Sequence, residues 1–519
     1  MKKIFFLFFA IAISCITKTT LAQNYNVIEG TEFDPPSDSK WGSYAGENTN
    51  YFYTLRIKTK GRGTKYFIEG MNKASLKKSF ETELPLEEEA HVGLDPVSLD
   101  MKILCSEGRI YVCFKGFNKD EKTNKYFIKV VFADGKLGDL LEIESTTEKF
   151  DINLYINNDK SKILMINDKA WNNGHQNVAA TLFNADNFSK IWKKQMPDEY
   201  KGASIETYYY KLNNAGDFCF LFNYLISKDP QVIGKGMGIV NNGTEKAKFV
   251  VFPNKDNHEI ENGRIEFTEA GKFIFTGLFK ENVSLKEGEA NGLSKKEKVK
   301  LEQERESKKR VGIYSYYVDV ATSNLVTNFE FFPEDVAQKL SYSQGLVLAG
   351  AANKYYTASG LENLNGDFYL FENHKYTISG NGVATFEREF IITKINSKGA
   401  ISWTKIFPKN TVNSLNTFNI LKHEGRIYVF YLEHPKNLEK STLNDYEPTK
   451  YADIKTYNGS VVVGLEISSD GSAVRKQIFE NSGWCYDPQP NNILLEKDNK
   501  ILIRMINRGK ERFDVIKVD

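Results

Sequence analysis

Cysteine is nearly missing from this chain, with five in 519 residues. Cys15 lies in an apolar N-terminal stretch, and only Cys105, Cys113, Cys219 and Cys485 follow it. So few thiols exclude a disulfide framework. Cys105 and Cys113 flank Glu107-Gly108 unevenly and would not face each other across a hairpin. All four read as small buried apolar residues, with room for one incidental bridge. Histidine is as sparse: His91, His175, His258, His374, His423 and His434. No HExxH, His-x-His or Cys-x-x-Cys spacing occurs, and metal ligation needs three or four converging donors, so no metal or cofactor is expected. A nucleophile elbow, a P-loop and a dinucleotide fingerprint are also missing; the Gly-rich Gly380–Glu387 fits none of them. Charge of one sign is lacking too. There are 69 basic and 67 acidic residues, and removal of Lys2, Lys3 and Lys18 with the first 22 residues brings the balance closer to neutral. Nucleic-acid binding needs clustered positive charge, so no nucleic-acid partner is expected. After the first residues no apolar run approaches the length of a membrane span.

What is present begins with "MKKIFFLFFAIAISCITKTTLAQ". A basic start, an apolar run from Ile4 to Ile13 and small residues at Thr20 and Ala22 predict a signal peptide over 1–22, cut before Gln23. A retained anchor is the alternative. Lipoprotein processing at Cys15 fits less well, because the preceding Ala12-Ile13-Ser14 lacks a large aliphatic residue three places before the cysteine. The mature chain, 23–519, is expected to be exported to the periplasm, the cell surface or the medium. Its lysine-, asparagine- and aromatic-rich style, with a leader ending in "LAQ", resembles that of exported proteins of the Bacteroidota.

The chain writes one strand many times. "GRIYVCFKG" at Gly108 returns as "GRIYVFYLE" at Gly425. Related strands start at Tyr51, Lys162, Asp217, Lys272, Asp367 and Lys500, most of them about 53 to 59 residues apart. Each follows a short turn such as "NNDKSK", "NNAGD" or "HEGR", where Gly and Asn supply positive φ. A second hairpin follows in each unit, as in "YFIKVVFADGKLGDLLEIE" from Tyr126. Four antiparallel strands per unit, repeated about eight times, predict an all-β fold, a single β-propeller domain. Seven blades is the main competitor, because the first strand of blade one, near Tyr44, is weakly written; an all-β sandwich or paired domains would be a different solution. The last unit has three strands and stops at Asp519, while Asn24–Phe33 is a strand without a unit. This N-terminal strand is therefore expected to close the last blade.

Two second hairpins carry a further likeness. "NSKGAISWTK" (Asn396–Lys405) and "NADNFSKIWKK" (Asn184–Lys194) place Trp403 and Trp192 beyond a polar turn. This resembles the strand-turn-strand of quinoprotein-like propeller repeats. The resemblance implies a propeller blade and carries over no quinone-binding residues.

In such blades the first-to-second and third-to-fourth turns share one face, and the second-to-third loops and blade links share the other. The first face is plain. The second holds the extra sequence at Asn167–Gln176, Val283–Arg310 and Glu433–Tyr457, with a long link at Pro333–Ala358. Within a charged helical insertion at about 283–310, Ser294 and Glu297 form a capping box, and Lys298/Glu302, Lys300/Glu304 and Glu304/Lys308 are i,i+4 pairs. Function tends to gather on loops held by a rigid scaffold. The elaborated face also offers "AWNNGH" and "GWCYDPQPNN". Trp171, His175, Trp484, Tyr486 and Asp487 are accordingly the candidate ligand-binding residues, since indole faces stack on sugars or apolar groups and the polar partners give direction.

The expected role is a non-catalytic, monomeric binding module for a protein, peptide or glycan, acting through the loop-rich face. The alternatives are a polysaccharide hydrolase or lyase with carboxylates at the axis, and an envelope scaffold that uses Leu293–Arg310 as its handle. Asp, Glu, His or Arg converging from three or more blades would mark the enzyme. An aromatic patch without that convergence would mark the binder.

Overall fold

A computed structural model describes residues 25–518 except 36–38, 61–62, 91, 93–100, 148–149, 173–174, 197–198, 201–202, 226–232, 244–246, 254–257, 268–270, 282–291, 299–300, 302–310, 337–352, 380–382, 413–417, 439–451, 454–460, 481–484, 487–493, 496–498 and 508–509. Eight sheets of four or five strands, antiparallel but for one short added strand, follow one another along the chain. We number them as blades: 1 (39–84), 2 (102–146), 3 (150–195), 4 (199–251), 5 (258–331), 6 (353–412), 7 (418–480) and 8 (485–518 with 25–28). Strands run in order from the innermost to the outermost, so each blade is two hairpins laid side by side.

The repeated strand is the second of each blade, and its burial explains its composition. Arg109–Asn118, Lys272–Glu281 and Arg426–Glu433 are buried on both faces through their middles. A strand between two neighbouring sheets reads as a continuous apolar run. Outer strands alternate instead, as in Lys78–Leu84 and Lys190–Gln195. Among the described residues the apolar core divides into eight clusters, and each joins two consecutive blades. Residues of opposite parity on one strand therefore serve different neighbours: Tyr53 and Leu55 pack on blade 2, and Phe52 packs on blade 8. The outer half of a blade also grips the third-to-fourth turn of the next. Thr82 Oγ1 donates to Gly135 O at 2.7 Å, Trp192 Nε1 to Asn242 Oδ1 at 3.1 Å and Trp403 Nε1 to Ser469 O at 3.1 Å. The two tryptophans of the quinoprotein-like hairpins are thus clasps between blades 3 and 4 and between blades 6 and 7.

Blade 1 does have a first strand, Ser39–Glu47. Two register shifts, at Trp41/Ser43 and Tyr44/Gly46, break its alternation, which is why it is weakly written. The N-terminal strand closes the ring as expected. Tyr25–Ile28 pairs antiparallel with the C-terminal strand, Tyr25 against Val518 and Ile28 against Val515. Phe33 and Glu511 then exchange both backbone hydrogen bonds. Gly30 passes so close to the Phe513 carbonyl that a Cβ would lie 2.1 Å from its oxygen, so only glycine fits there.

Beside that closure lies a buried ion network. Arg56 Nε meets Glu69 at 2.9 Å, Arg56 Nη2 meets Glu511 at 2.9 Å, and Arg504 Nη2 meets Glu511 at 2.6 Å. Arg56 is fully buried and Glu69 nearly so. Burial pushes the Glu511 carboxyl up, but the hydrogen bond from Arg56 and the charge of Arg504 outweigh it and hold the group below its usual range.

Two outcomes follow. Glu511→Gln leaves two buried guanidinium groups short of counter-charge and lowers the unfolding free energy by about 3 kcal/mol, measured by urea denaturation at pH 7. Because the folded carboxyl titrates lower than the unfolded one, its stabilisation is complete above the unfolded value of about 4.3 and is lost as pH falls below it. Urea midpoints at pH 7 and pH 3.5 should therefore differ less in Glu511→Gln than in the parent chain.

Candidate functional site

The innermost strands surround the axis, and their ends decide what lines its two mouths. At the mouth formed by first-to-second-strand turns, blades 3 to 7 open a cavity of about 810 Å³. Blade 3 brings Asn157, Asn158 and Lys160, and blade 4 brings Lys211, Asn213, Asn214 and Asp217. Blades 5, 6 and 7 add Glu266 with Phe267, Glu362 with Asn363, and Lys422. This is the face with short turns. The extra sequence on the other face does not mark the cavity.

The turns are stiff because their side chains bond back to their own backbones. Asn157 Oδ1 accepts Lys162 N at 2.8 Å, and Asn213 Oδ1 accepts Asp217 N at 2.8 Å. Ion pairs then tie neighbouring blades across the wall: Lys211 Nζ to Glu266 at 2.7 Å, and Lys422 Nζ to Glu362 at 2.9 Å. Lys160 Nζ donates to the Glu47 carbonyl of blade 1 at 2.8 Å. Asp217 accepts Asn242 N at 2.7 Å and Asn213 Nδ2 at 3.0 Å. Cys105 lies beside Glu47, its Sγ 3.4 Å from that carbonyl, and burial pushes its thiol up to about 12, far from a reactive thiolate. Cys105, Cys113 and Cys219 are all buried, and none of the three is in a disulfide. No group of three or more His, Cys, Asp or Glu among the described residues could hold a metal ion.

Three of the residues singled out from sequence, Trp171, His175 and Tyr486, belong to described strands. Trp171 is in a strand, Lys162–Asn172, and His175 opens the next, His175–Asn184; Asn172 pairs with His175. The presumed loop Asn167–Gln176 is thus largely an extension of the hairpin, because the backbone ladder continues on either side of residues 173–174. Tyr486 belongs to blade 8 itself, since Cys485–Tyr486 pairs with Ile506 and Met505, and it is not in a link. Trp484 and Asp487 lie outside the described residues. Blade 3 and blade 8 are separated around the ring by blades 1 and 2, so Trp171 and His175 share one hairpin and Tyr486 stands apart from it. In the charged insertion the capping box is formed: Ser294 N and Oγ both donate to Glu297 Oε2, at 2.8 and 2.7 Å. The 433–457 segment carries a short helix, Pro435–Leu438, and a strand, Ala452–Asp453, that pairs parallel with blade 6.

The lining residues that sequence reading passed over are the turn residues themselves. Lys160, Asn214 and Glu266 sit in segments whose wording announces hairpin turns.

No family model matches this chain, and no curated protein matches it. Solved structures do. A polysaccharide lyase, Uly1, aligns over 79% of this chain and 95% of its own at 13% identity and a TM-score of 0.43. The WD40 domain of SCAP from fission yeast aligns over 95% and 98% at 9% identity and a TM-score of 0.34. The β-propeller domain of the Trilobed protease from Pyrococcus furiosus aligns over 85% and 99% at 10% identity and a TM-score of 0.33. At such identities nothing about a ligand passes from those proteins to this chain.

The cross-blade pairs at the mouth are partly exposed, and pairs of that kind add little to stability. Lys211→Met and Glu362→Gln should each change the unfolding free energy by less than about 1 kcal/mol, as urea denaturation will show. A larger loss would make them structural struts.

Proposed function

We propose that the chain is an exported, non-catalytic binding module whose ligand enters the axial cavity on the short-turn face. The observation that carries this is the convergence of turns from five blades on one cavity of about 810 Å³, inside the range of about 300–1,000 Å³ that small-molecule sites occupy. Its polar groups are preset. Amides, lysines and carboxylates are held by turn and cross-blade bonds, so a ligand meets them without ordering them first. The leader-like N-terminus supports export.

A second reading has its own support. Asp217, Glu266 and Glu362 reach the cavity from three blades, the convergence expected of a saccharide-active enzyme. Against it, each carboxylate is already engaged, Glu266 and Glu362 by lysine and Asp217 by the Asn242 amide. A general acid or base must be free to meet its substrate.

The test is Ala215→Trp. Ala215 lines the mouth at a turn tip, so an indole there fills the entrance and leaves the blade core untouched. Calorimetric titration of the full chain with oligosaccharide and peptide panels should find a ligand whose affinity falls at least tenfold in this variant, with an unchanged circular-dichroism spectrum. A ligand that binds both proteins equally sits elsewhere and sinks the proposal. New reducing ends or unsaturated products from the same saccharides would establish the enzymatic reading.

A further inference from the structure

Two neighbouring turns of the cavity wall are built alike. Asn157-Asn158-Asp159-Lys160 in blade 3 matches Asn213-Asn214-Ala215-Gly216 in blade 4, and all of these but Asp159 and Gly216 line the cavity. The match extends to the backbone. Lys160 N donates to Asn157 O at 3.0 Å and Gly216 N to Asn213 O at 3.2 Å, and both end residues have positive φ, +58° and +93°. The first asparagine of each turn is taken up by the turn itself, since its Oδ1 accepts Lys162 N or Asp217 N. The second, Asn158 or Asn214, is exposed at the tip and open to a ligand. The two tips touch, Asp159 N donating to Asn214 Oδ1 at 3.3 Å. Two adjacent blades therefore present the same amide at the same place in their turns.

The charges of the wall cancel. Lys160, Lys211 and Lys422 line it, and so do Asp217, Glu266 and Glu362. Lys211 meets Glu266 at 2.7 Å, and Lys422 meets Glu362 at 2.9 Å. Asp159 and Lys162, in the same turn as Lys160, add one charge of each sign. A wall without net charge has little long-range attraction for an ion. It offers donors beside acceptors instead: ammonium next to carboxylate, and amide nitrogen next to amide oxygen.

Apolar surface is scarce on this wall. Ile156, Leu212, Ala215 and Phe267 are its main sources. Phe267 is the aromatic residue of the lining, half-buried at the end of the innermost strand of blade 5. It is well fixed: its ring packs on Phe273 with centres 3.6 Å apart, and its carbonyl accepts Asn363 Nδ2 at 3.4 Å.

We infer that the occupant of the cavity is an uncharged oligosaccharide, with Asn158 and Asn214 bonding to its hydroxyls. This rests on the binding function proposed above and names its ligand class. A hydroxyl donates and accepts at one atom, which suits a wall of mixed donors and acceptors. An aromatic face such as that of Phe267 suits the apolar side of a sugar ring. A ligand that repeats from ring to ring also meets a wall that repeats from blade 3 to blade 4. An acidic saccharide would call for an excess of cations, and a peptide for apolar surface to receive its side chains. The wall supplies neither.

The experiment uses the full chain, Asn158→Ala, Asn214→Ala and the double variant. Both residues are exposed at turn tips, so all three variants should melt at the temperature of the parent. Calorimetric titrations use uncharged cello-, manno- and malto-oligosaccharides, oligogalacturonate and a peptide panel, each at low and at high salt. The expected result is that one uncharged oligosaccharide binds with nearly the same affinity at both salt levels. Each single variant should weaken it about three- to tenfold, the loss of one hydrogen bond between neutral groups, and the double variant should weaken it further. Tighter binding of oligogalacturonate that fades with salt, binding of peptides alone, or no binding of any uncharged saccharide overturns the ligand class. If the ligand found instead is lost in Ala215→Trp, the cavity still stands as a binding site. Uncharged-sugar binding that both alanine variants leave unchanged overturns the assignment of Asn158 and Asn214. A clear fall in melting temperature does the same, because it makes them structural.

Discussion

Everything at the axis depends on blade 8 meeting blade 1, because a stack of sheets that does not close leaves two apolar faces in water. That junction is built differently from its neighbours. Blades 1 and 2 share a broad apolar cluster that includes Tyr53, Leu55, Ile68, Ile110, Val112 and Phe114. Between blades 8 and 1 the buried cluster shrinks to Phe52, Met71, Leu76, Leu502, Phe513 and Val515, with the Arg56–Glu69–Glu511–Arg504 network beside it. Buried ion pairs give little net stability over hydrocarbon, but breaking one is costly. Their effect here is on register. A one-residue slip would turn Arg56 onto the blade 2 face, among Tyr53 and Leu55. Closure is thereby confined to one alignment, and Gly30 and the Phe33–Glu511 bridge lock the same alignment from the N-terminal side.

A closed ring of one register fixes the turns at its mouth. The second strands cannot slide, since each is buried between two sheets, so the turns that precede them have fixed positions about the axis. Rigid supports of this kind can carry local strain that an isolated hairpin could not. Lys160 has a left-handed backbone, with φ +58°, and is held there by the pairing of the strands on either side of its turn. The same logic explains why the lining pairs contribute little to folding: the apolar interfaces already determine where those side chains lie.

Much of the architecture was legible in the residues. The recurrence of "RIYVCFKG" and "RIYVFYLE" reflects a shared demand for burial on both faces, and burial of that kind leaves few choices of side chain. The unpaired strand at the N-terminus and the three-stranded last unit could be matched by arithmetic alone. The weakly written strand of blade 1 is explained by two bulges, since each shifts the alternation by one residue. The site was much less legible. Trp171, His175 and Tyr486 were chosen because extra sequence and aromatic residues stand out in a linear text. The ladder of blade 3 runs through much of what looked like a loop, and Cys485–Tyr486 pairs inside blade 8. The cavity draws on five turns that are far apart in the chain, each ordinary when read alone. Convergence about an axis is a property of closure, and no single turn carries it.

One trace of the site was nevertheless written in the chain. A repeat protein supplies its own comparison, because each blade solves the same geometric problem under the same constraints. Where "NNDKSK" and "NNAGDF" fill equivalent turns, the glycine is the residue that the backbone calls for, and the lysine departs from it. Aromatic or extra sequence marks a place where chain has been added, and added chain can fold back into the scaffold, as it does around Trp171. A residue that opposes its own backbone is a different kind of signal. It has to be held in place by the rest of the fold, and a gain elsewhere must offset its cost. In a propeller the direction of that gain is limited: a turn at the mouth of the ring can reach along the rim or across the axis, and Lys160 reaches along the rim, past blade 2 to the Glu47 carbonyl of blade 1.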